Sequence, residues 1–294
     1  MAVLIGLSIV IVGVIGGYML HGGPLGVLLQ WAEFLIIGGA SIGSLLVGTP
    51  LSVLIQMSGK VGALIKGDTY SKAEYLNLLK TLFELFTVAT RDGLINIEPH
   101  IETPEKSSIF TKNKFLLENH HAVEYLCDTL KLLLSGGISP YDIEALLEAD
   151  TDTHHLESAK YPAILQRLGD ALPGLGIVAA VLGIVVTMQA IDGPPAEIGH
   201  KVAAALVGTF LGVLLSYGFV QPIASHLELL NQSEARYFEC IKSSVVGYAK
   251  GNAPTVVVEF SRRVIFSDMR PSFAELEQAI KEVKAAQGKK GKAA

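Results

Sequence analysis

The sequence contains few charged residues, and they are missing from whole blocks of it. Lys, Arg, Asp and Glu make up 17% of the 294 residues, against roughly 25% in an average soluble protein. Half of the residues are hydrophobic. This composition indicates a membrane protein and excludes intrinsic disorder.

The chain also lacks a disulfide framework, a basic surface and the common catalytic motifs. Cys127 and Cys240 are too few and too far apart for a paired metal-binding motif. A net charge of −5 offers no basic field to a phosphate backbone, so nucleic acid is not an expected partner. The histidine pairs at 120–121 and 154–155 point different ways on a helix, so we interpret them as solvated surface residues. We therefore predict no catalytic residue, no metal site and no cofactor.

Four segments with almost no charge are long enough to cross a membrane as helices. They lie near residues 3–20, 32–50, 171–191 and 202–223. About 20 apolar residues rising 1.5 Å each cover roughly 30 Å of hydrocarbon. Glu33 is the single charge within these segments, and because it starts the second one, we expect its carboxylate to reach interfacial water.

Basic residues predict the orientation of these spans. Lys60 follows the second span, and Lys160 and Arg167 precede the third, whereas the third-to-fourth loop carries only Lys201. Because basic residues near span ends stay in the cytoplasm, both termini and the long central segment are predicted to be cytoplasmic.

Outside the spans, several signals predict helices. Ser71 and Ser272 each precede a glutamate by three residues, as in a capping box, and Ser139-Pro140 is a typical helix start. The basic, glycine-rich residues 288–294 are expected to be a disordered tail, either solubilising or in contact with anionic lipid. We predict an all-α polytopic membrane protein with a helical cytoplasmic domain. Its four parts are spans one and two (1–50), the cytoplasmic domain (51–170), spans three and four (171–223) and the C-terminal helices with the tail (224–294).

Spans three and four carry no ionisable residue, but small and hydroxyl residues recur along them at helical spacing. On span three these are Pro173, Ala180 and Thr187; on span four they are Gly208, Thr209, Gly212 and Ser216. Small residues four positions apart, such as Gly208 and Gly212, allow two helices to approach closely. These residues fit a passive bundle and equally a pore wall whose proton carrier belongs to another chain.

Several stretches together resemble one family. They are 172–183, 208–212 with 217–219 and Pro222, 97–104, 258–262 and 270–277. In these stretches the chain resembles the A-subunit (MotA) family of the bacterial flagellar motor stator, in the MotA/TolQ/ExbB proton-channel superfamily. The resemblance implies an inner-membrane location and a pentameric ring of A-subunits around two B-subunits (MotB). The B-subunit supplies an intramembrane aspartate, while spans one and two face lipid.

The resemblance also implies roles for individual residues. Pro173 and Pro222 match two prolines that couple protonation to movement of the cytoplasmic domain. Ala180 matches a threonine of sodium-driven relatives, and a methyl group there favours protons, although Thr209 offers a hydroxyl.

Two charged residues match the pair that engages the rotor protein FliG. These are Arg91 and Glu98, but some relatives place the arginine where this chain has Thr90. Which of Thr90 and Arg91 contacts the rotor is therefore left open.

The function predicted from the sequence is that of a stator subunit, not an enzyme. It conducts protons with its partner and converts the flow into torque. The alternatives are a proton-driven energiser of the ExbB/TolQ type and a passive membrane scaffold.

Overall fold

The computed structural model describes residues 2–64, 70–189 and 191–290, and these residues form helices and no β-strand. In chain order the α-helices are α1 (Ala2–Leu20), α2 (Leu25–Leu28), α3 (Trp31–Gly48), α4 (Leu51–Leu64), α5 (Lys72–Arg91), α6 (Glu98–Glu102), α7 (Lys114–Glu118), α8 (His120–Ser135), α9 (Pro140–Met188), α10 (Pro195–Leu215), α11 (Gln221–Ala249), α12 (Pro254–Val264) and α13 (Phe273–Lys290). Short 3₁₀ turns occupy Leu94–Ile97, Pro104–Lys106 and Phe110–Lys112. The all-α prediction is confirmed.

The chain divides into two compact units. The membrane unit comprises residues 1–68 and 158–229, and the extramembrane unit comprises 69–157 and 230–294. Each unit is thus built from two separate parts of the sequence. The divisions at 157/158 and 229/230 fall inside α9 and α11.

Among the residues that the structure describes, four helical stretches are long and apolar enough to cross a membrane, as predicted. The first span is α1, within one residue of the predicted limits, and the second is α2–α3, which begins at Leu25 rather than at 32. The third is different, because α9 is a single helix of 49 residues in which the apolar span is only the last part. The predicted start at 171 is therefore wrong as a helix boundary. The loss of charge at this point indicates entry into the apolar region, while the helix itself continues through it.

The fourth span begins at Pro195 rather than at 202 and contains an irregularity that the apolar pattern does not reveal. Residues Ser216–Val220 form a π-helical turn between α10 and α11, in which the Gln221 N–H bonds the Ser216 carbonyl five residues earlier. We call this turn the π-bulge. Pro222 follows it after Gln221 and has no N–H to donate to Gly218, which favours such a local widening of the helix.

The described helices of the extramembrane unit pack around a hydrophobic core. Leu78, Leu82 and Phe86 of α5 are completely buried in it, together with Phe110. The Phe86 ring also stacks on Tyr248 of α11, with centroids 4.6 Å apart. Burying each such side chain contributes about 1.5–3 kcal/mol relative to exposing it. This core holds α5 and the turn that follows it in place.

The predicted helix starts are confirmed. The Glu74 and Asp142 amides donate to the Ser71 and Ser139 hydroxyls at 3.3 and 3.2 Å. At Ser272 the capping box is reciprocal, since its amide also donates to the Glu275 carboxylate at 2.6 Å. The expected disorder from 288 onward is wrong for its first residues, since α13 runs to Lys290. Residues 291–294 lie outside the described part of the chain.

Candidate ion path and coupling site

The apolar part of α9 and helix α10 pack with their backbones almost in contact. A Cβ atom added to Gly212 would lie 2.6 Å from the Leu172 carbonyl oxygen and 2.8 Å from the Gly176 Cα. A Cβ on Gly176 would lie 2.7 Å from the Gly208 carbonyl oxygen. Only glycine fits at such distances, since the atoms that would clash belong to backbone and cannot rotate away. The predicted close approach of spans three and four is present.

The two residues predicted to line the ion path lie at this contact. A Cβ on Gly208, the neighbour of Thr209, would be 3.0 Å from the Ala180 backbone nitrogen. The side chains of Ala180 and Thr209 are both half-buried in the isolated chain. The packing therefore places Ala180 beside Gly208, the residue that precedes Thr209.

Glu33 lies elsewhere than the sequence analysis expected. Its side chain is only 6% exposed, and Oε2 is buried without a hydrogen-bond partner among the described residues. The carboxylate occupies a notch in the α9–α10 pair: Cβ atoms added to Gly208 and Gly183 would lie 2.5 and 3.4 Å from its oxygens. The expectation that it reaches interfacial water is wrong, because Gly183 and Gly208 have no side chains to exclude the carboxylate from this notch.

The two predicted coupling prolines lie in different surroundings. Pro173 is inside α9 and half-buried. It lies four residues after Gly169 and, because proline has no N–H, it cannot donate a helical hydrogen bond to the Gly169 carbonyl. Pro222 is exposed at the start of α11 and lines a groove of about 370 Å³ with Tyr217 and the first turns of α1. Both prolines interrupt backbone hydrogen bonding within otherwise continuous helical segments.

The predicted rotor-contact residues belong to the extramembrane unit, at the end of α5 and the start of α6. Arg91 is exposed and forms a bidentate pair with Asp92 at 2.8 and 2.7 Å, and this pairing lowers the pKa of the Asp92 carboxyl. Glu98 is exposed and forms no ion pair among the described residues. The Thr90 hydroxyl donates to the Phe86 carbonyl at 2.8 Å. The Thr90 hydroxyl is thus used within α5 and Arg91 is paired with Asp92, and the choice between them as the rotor contact stays a prediction.

One histidine differs from the solvated residue predicted. His154 is half-buried, with its ring centroid 4.6 Å from that of Phe238, and it lies 6.0 Å from His121 across a cavity of about 260 Å³. The other three members of the two pairs are exposed, as expected. The described residues contain no group of three or more His, Cys, Asp or Glu arranged to hold a metal ion.

Comparison with known families finds two matches in this chain. A model described as "Motility protein A N-terminal" matches residues 4–93. A model described as "MotA/TolQ/ExbB proton channel family" matches residues 114–240. Both matched ranges contain predicted spans, and the second contains the α9–α10 contact.

Comparison with individual proteins extends over nearly the whole chain. A protein named "Motility protein A" from Salmonella typhimurium is 38% identical over 284 residues, covering 97% of this chain and 96% of the relative. A solved structure titled "Structure of C. jejuni MotAB" has a TM-score of 0.77 at 19% identity, covering 92% of this chain and 98% of the other. The flagellar MotAB stator complex from Bacillus subtilis has a TM-score of 0.72 at 24% identity, covering 87% and 92%. These two structures share the fold of this chain.

Proposed function

The chain belongs to the motility protein A family of MotA/TolQ/ExbB proton-channel proteins and is a flagellar motor stator subunit, and we propose that it conducts protons with a B-subunit and converts their flow into torque. The observation that supports this most strongly is the α9–α10 contact. The two backbones lie close together there, the segments are nearly free of charge, and Pro173 interrupts α9 where its apolar part begins. Such a helix pair offers a path wall and a place to bend.

A partner is proposed because this path has no carrier of its own. Residues 171–188 and 202–220 contain no ionisable side chain except the phenol of Tyr217, and Glu33 is enclosed in its glycine notch. An ion path through a bilayer usually uses an intramembrane acid. The two solved relatives are MotAB assemblies. We therefore propose that a single-span MotB-type subunit supplies an intramembrane aspartate beside Ala180 and Thr209.

The proposed ring is supported by apolar faces that this chain does not cover itself. On α1 and α3, Val12 is 70% exposed and Leu35 is 76% exposed, and on α9 Val181 is 55% exposed. Apolar side chains at membrane depth face lipid or another helix. We propose that α1 and α3 face lipid, while α9 and α10 face the B-subunit and neighbouring copies in a pentamer around two B-subunits. Multi-pass inner-membrane location follows from the four spans and the family.

Dependence on protons provides the direct test of this function. In a host lacking its own stator A-subunit, and supplied with a B-subunit, the chain is expected to restore swimming whose speed follows the proton motive force. At fixed pH, speed is expected to stay constant when sodium is replaced by potassium, because the Ala180 methyl offers a hard cation no ligand. Speed that rises with sodium concentration would contradict proton selectivity. Swimming that is not restored, although flagella assemble and the chain reaches the membrane, would contradict the stator assignment.

Rotor contact through the end of α5 and the start of α6 is proposed with Glu98 as the main charge. Replacing Glu98 with lysine is expected to reduce torque several-fold, because charges at an interface set orientation and register. Replacing Arg91 with glutamate is expected to have a smaller effect, since Asp92 already balances its charge. Torque of tethered cells measures both variants.

The matched control for this experiment is Glu118→Lys, which reverses another exposed acidic side chain of the same unit. It is expected to leave torque unchanged. Restoration of Glu98→Lys by a charge reversal on the rotor protein FliG would identify the contact. Equal loss of torque in Glu98→Lys and Glu118→Lys would instead indicate a general effect of charge and remove the assignment.

A further inference from the structure

A hydrogen bond between α9 and the π-bulge involves the backbone carbonyl that Pro173 leaves without a helical donor. In an α-helix the carbonyl of residue i accepts from the amide of residue i+4, so the carbonyl of Gly169 would accept from residue 173. Proline has no amide hydrogen, and this carbonyl is left without its helical donor. The hydroxyl of Ser216 donates to it across the helix pair, at an Oγ–O distance of 2.6 Å. The serine therefore takes the place of the amide that Pro173 lacks.

The surroundings make this bond well defined. Ser216 has no exposed surface, so water does not compete for the carbonyl. Four residues earlier on the same face of α10 lies Gly212, whose contact with Leu172 and Gly176 brings the two backbones close enough for a short side chain to reach across.

The π-bulge connects the same serine to the second proline. Ser216 is the first residue of the bulge, and its carbonyl accepts from the Gln221 amide, next to Pro222. The Gln221 side chain also donates to Asp170 of α9 at 3.0 Å. Ser216 and Gln221 thus tie the bulge to two consecutive residues of α9.

We infer that Ser216 is a positioning residue that links the two proline sites, by holding the Gly169 carbonyl released by Pro173 against the π-bulge that precedes Pro222. The inference rests on the proposed function, in which these prolines are the bending points. With the bond in place, a bend of α9 at Pro173 is transmitted to the fourth span. Without it, the Gln221–Asp170 hydrogen bond is left to tie the bulge to α9, and the buried carbonyl loses its partner.

A double-mutant cycle between Ser216 and Pro173 tests this inference. Ser216→Ala is expected to lower torque per stator unit at least about twofold, since an unpaired buried carbonyl is unfavourable. In a Pro173→Ala background the restored amide serves Gly169, so adding Ser216→Ala is expected to change nothing further. The control is Ser41→Ala, which removes a buried hydroxyl of the same unit that has no hydrogen-bond partner among the described residues. It is expected to retain normal torque, and the amount of each variant in the membrane is measured alongside.

The same cycle is measured by thermal unfolding of the full chain purified with its B-subunit, which gives a result even if Pro173→Ala cells do not swim. Ser216→Ala is expected to lower the melting temperature in the native background and not in the Pro173→Ala background. Equal losses in both backgrounds would show that Ser216 acts only by packing, and no loss in either would show that it has no role. Both results would overturn the inference. Failure of the unmodified chain to drive rotation would overturn the proposed function, while the melting cycle would still report on the bond between Ser216 and Gly169.

Discussion

Replacing Gly212 with alanine is expected to abolish swimming driven by this stator subunit. The added Cβ would lie 2.6 Å from the Leu172 carbonyl oxygen and 2.8 Å from the Gly176 Cα. Both are backbone atoms of α9, so relief requires the helices to separate. Overpacking of a tight contact typically costs about 1–3 kcal/mol, and here separation would also draw Ser216 away from Gly169.

Gly174→Ala is the matched control for this substitution. Gly174 lies on α9 between Leu172 and Gly176, but beyond its own turn of helix a Cβ there would meet no atom of the described residues within 4 Å. Both variants make the same chemical change near the same level of the helix pair. Swimming speed and the amount of stator complex in the membrane are the measurements. Normal swimming of Gly212→Ala would contradict the close contact of the two spans, and equal loss in Gly174→Ala would show that any alanine at this level is harmful.

Replacing Pro222 or Pro173 with alanine is expected to reduce torque strongly while leaving the stator complex assembled. Alanine restores an amide at each position. At 222 this amide can bond the Gly218 carbonyl, which favours a regular α-helix in place of the π-bulge and turns the preceding side chains by about 100° relative to α11. At 173 the restored amide can donate to the Gly169 carbonyl, which now accepts from the Ser216 hydroxyl. In both cases the bending point becomes ordinary helix.

A third proline provides a control that shows whether the loss of torque depends on where the proline lies in the helix. Pro162 also lies inside α9, eleven residues before Pro173, outside the apolar segment. Pro162→Ala makes the same change in the same helix and is expected to retain most of the torque. Torque per stator unit is read from the speed steps of a bead on a single motor. Full torque in both Pro173→Ala and Pro222→Ala would remove their assignment as hinges.

Patterns in the sequence predicted much of the architecture because they depend on local chemistry. The absence of charge over about 20 residues indicated each span regardless of what the span contacts. The serines at 71, 139 and 272 predicted helix starts because the cap uses only neighbouring residues. The start of α9 at Pro140 was predicted in the same way, although its continuation into the third span was not.

The site was predictable only in part. Gly208 and Gly212 of the α9–α10 contact were found because they form a small-residue pair on span four, whereas their partners Leu172 and Gly176 on α9 were not. The burial of Glu33 was not, because its notch is formed by glycines about 150 and 175 residues further along the chain. Nor did the sequence indicate that Ser216 is bonded to Gly169. The signal was the proline four residues after Gly169, which shows that a carbonyl lacks its donor without showing what replaces it.

The sequence by itself therefore determined that this chain has four segments able to cross a membrane, where several helices begin outside them, and that spans three and four carry no carboxylate of their own. These conclusions depend on composition and on residues near one another in the chain. Only the tertiary structure decided which glycines touch, that Glu33 is enclosed by them, and that Ser216 completes the helix interrupted by Pro173. The physical reason is that a glycine contact and a cross-helix hydrogen bond both require two segments that are far apart in the sequence to approach within a few ångströms. A local sequence pattern contains no information about that approach.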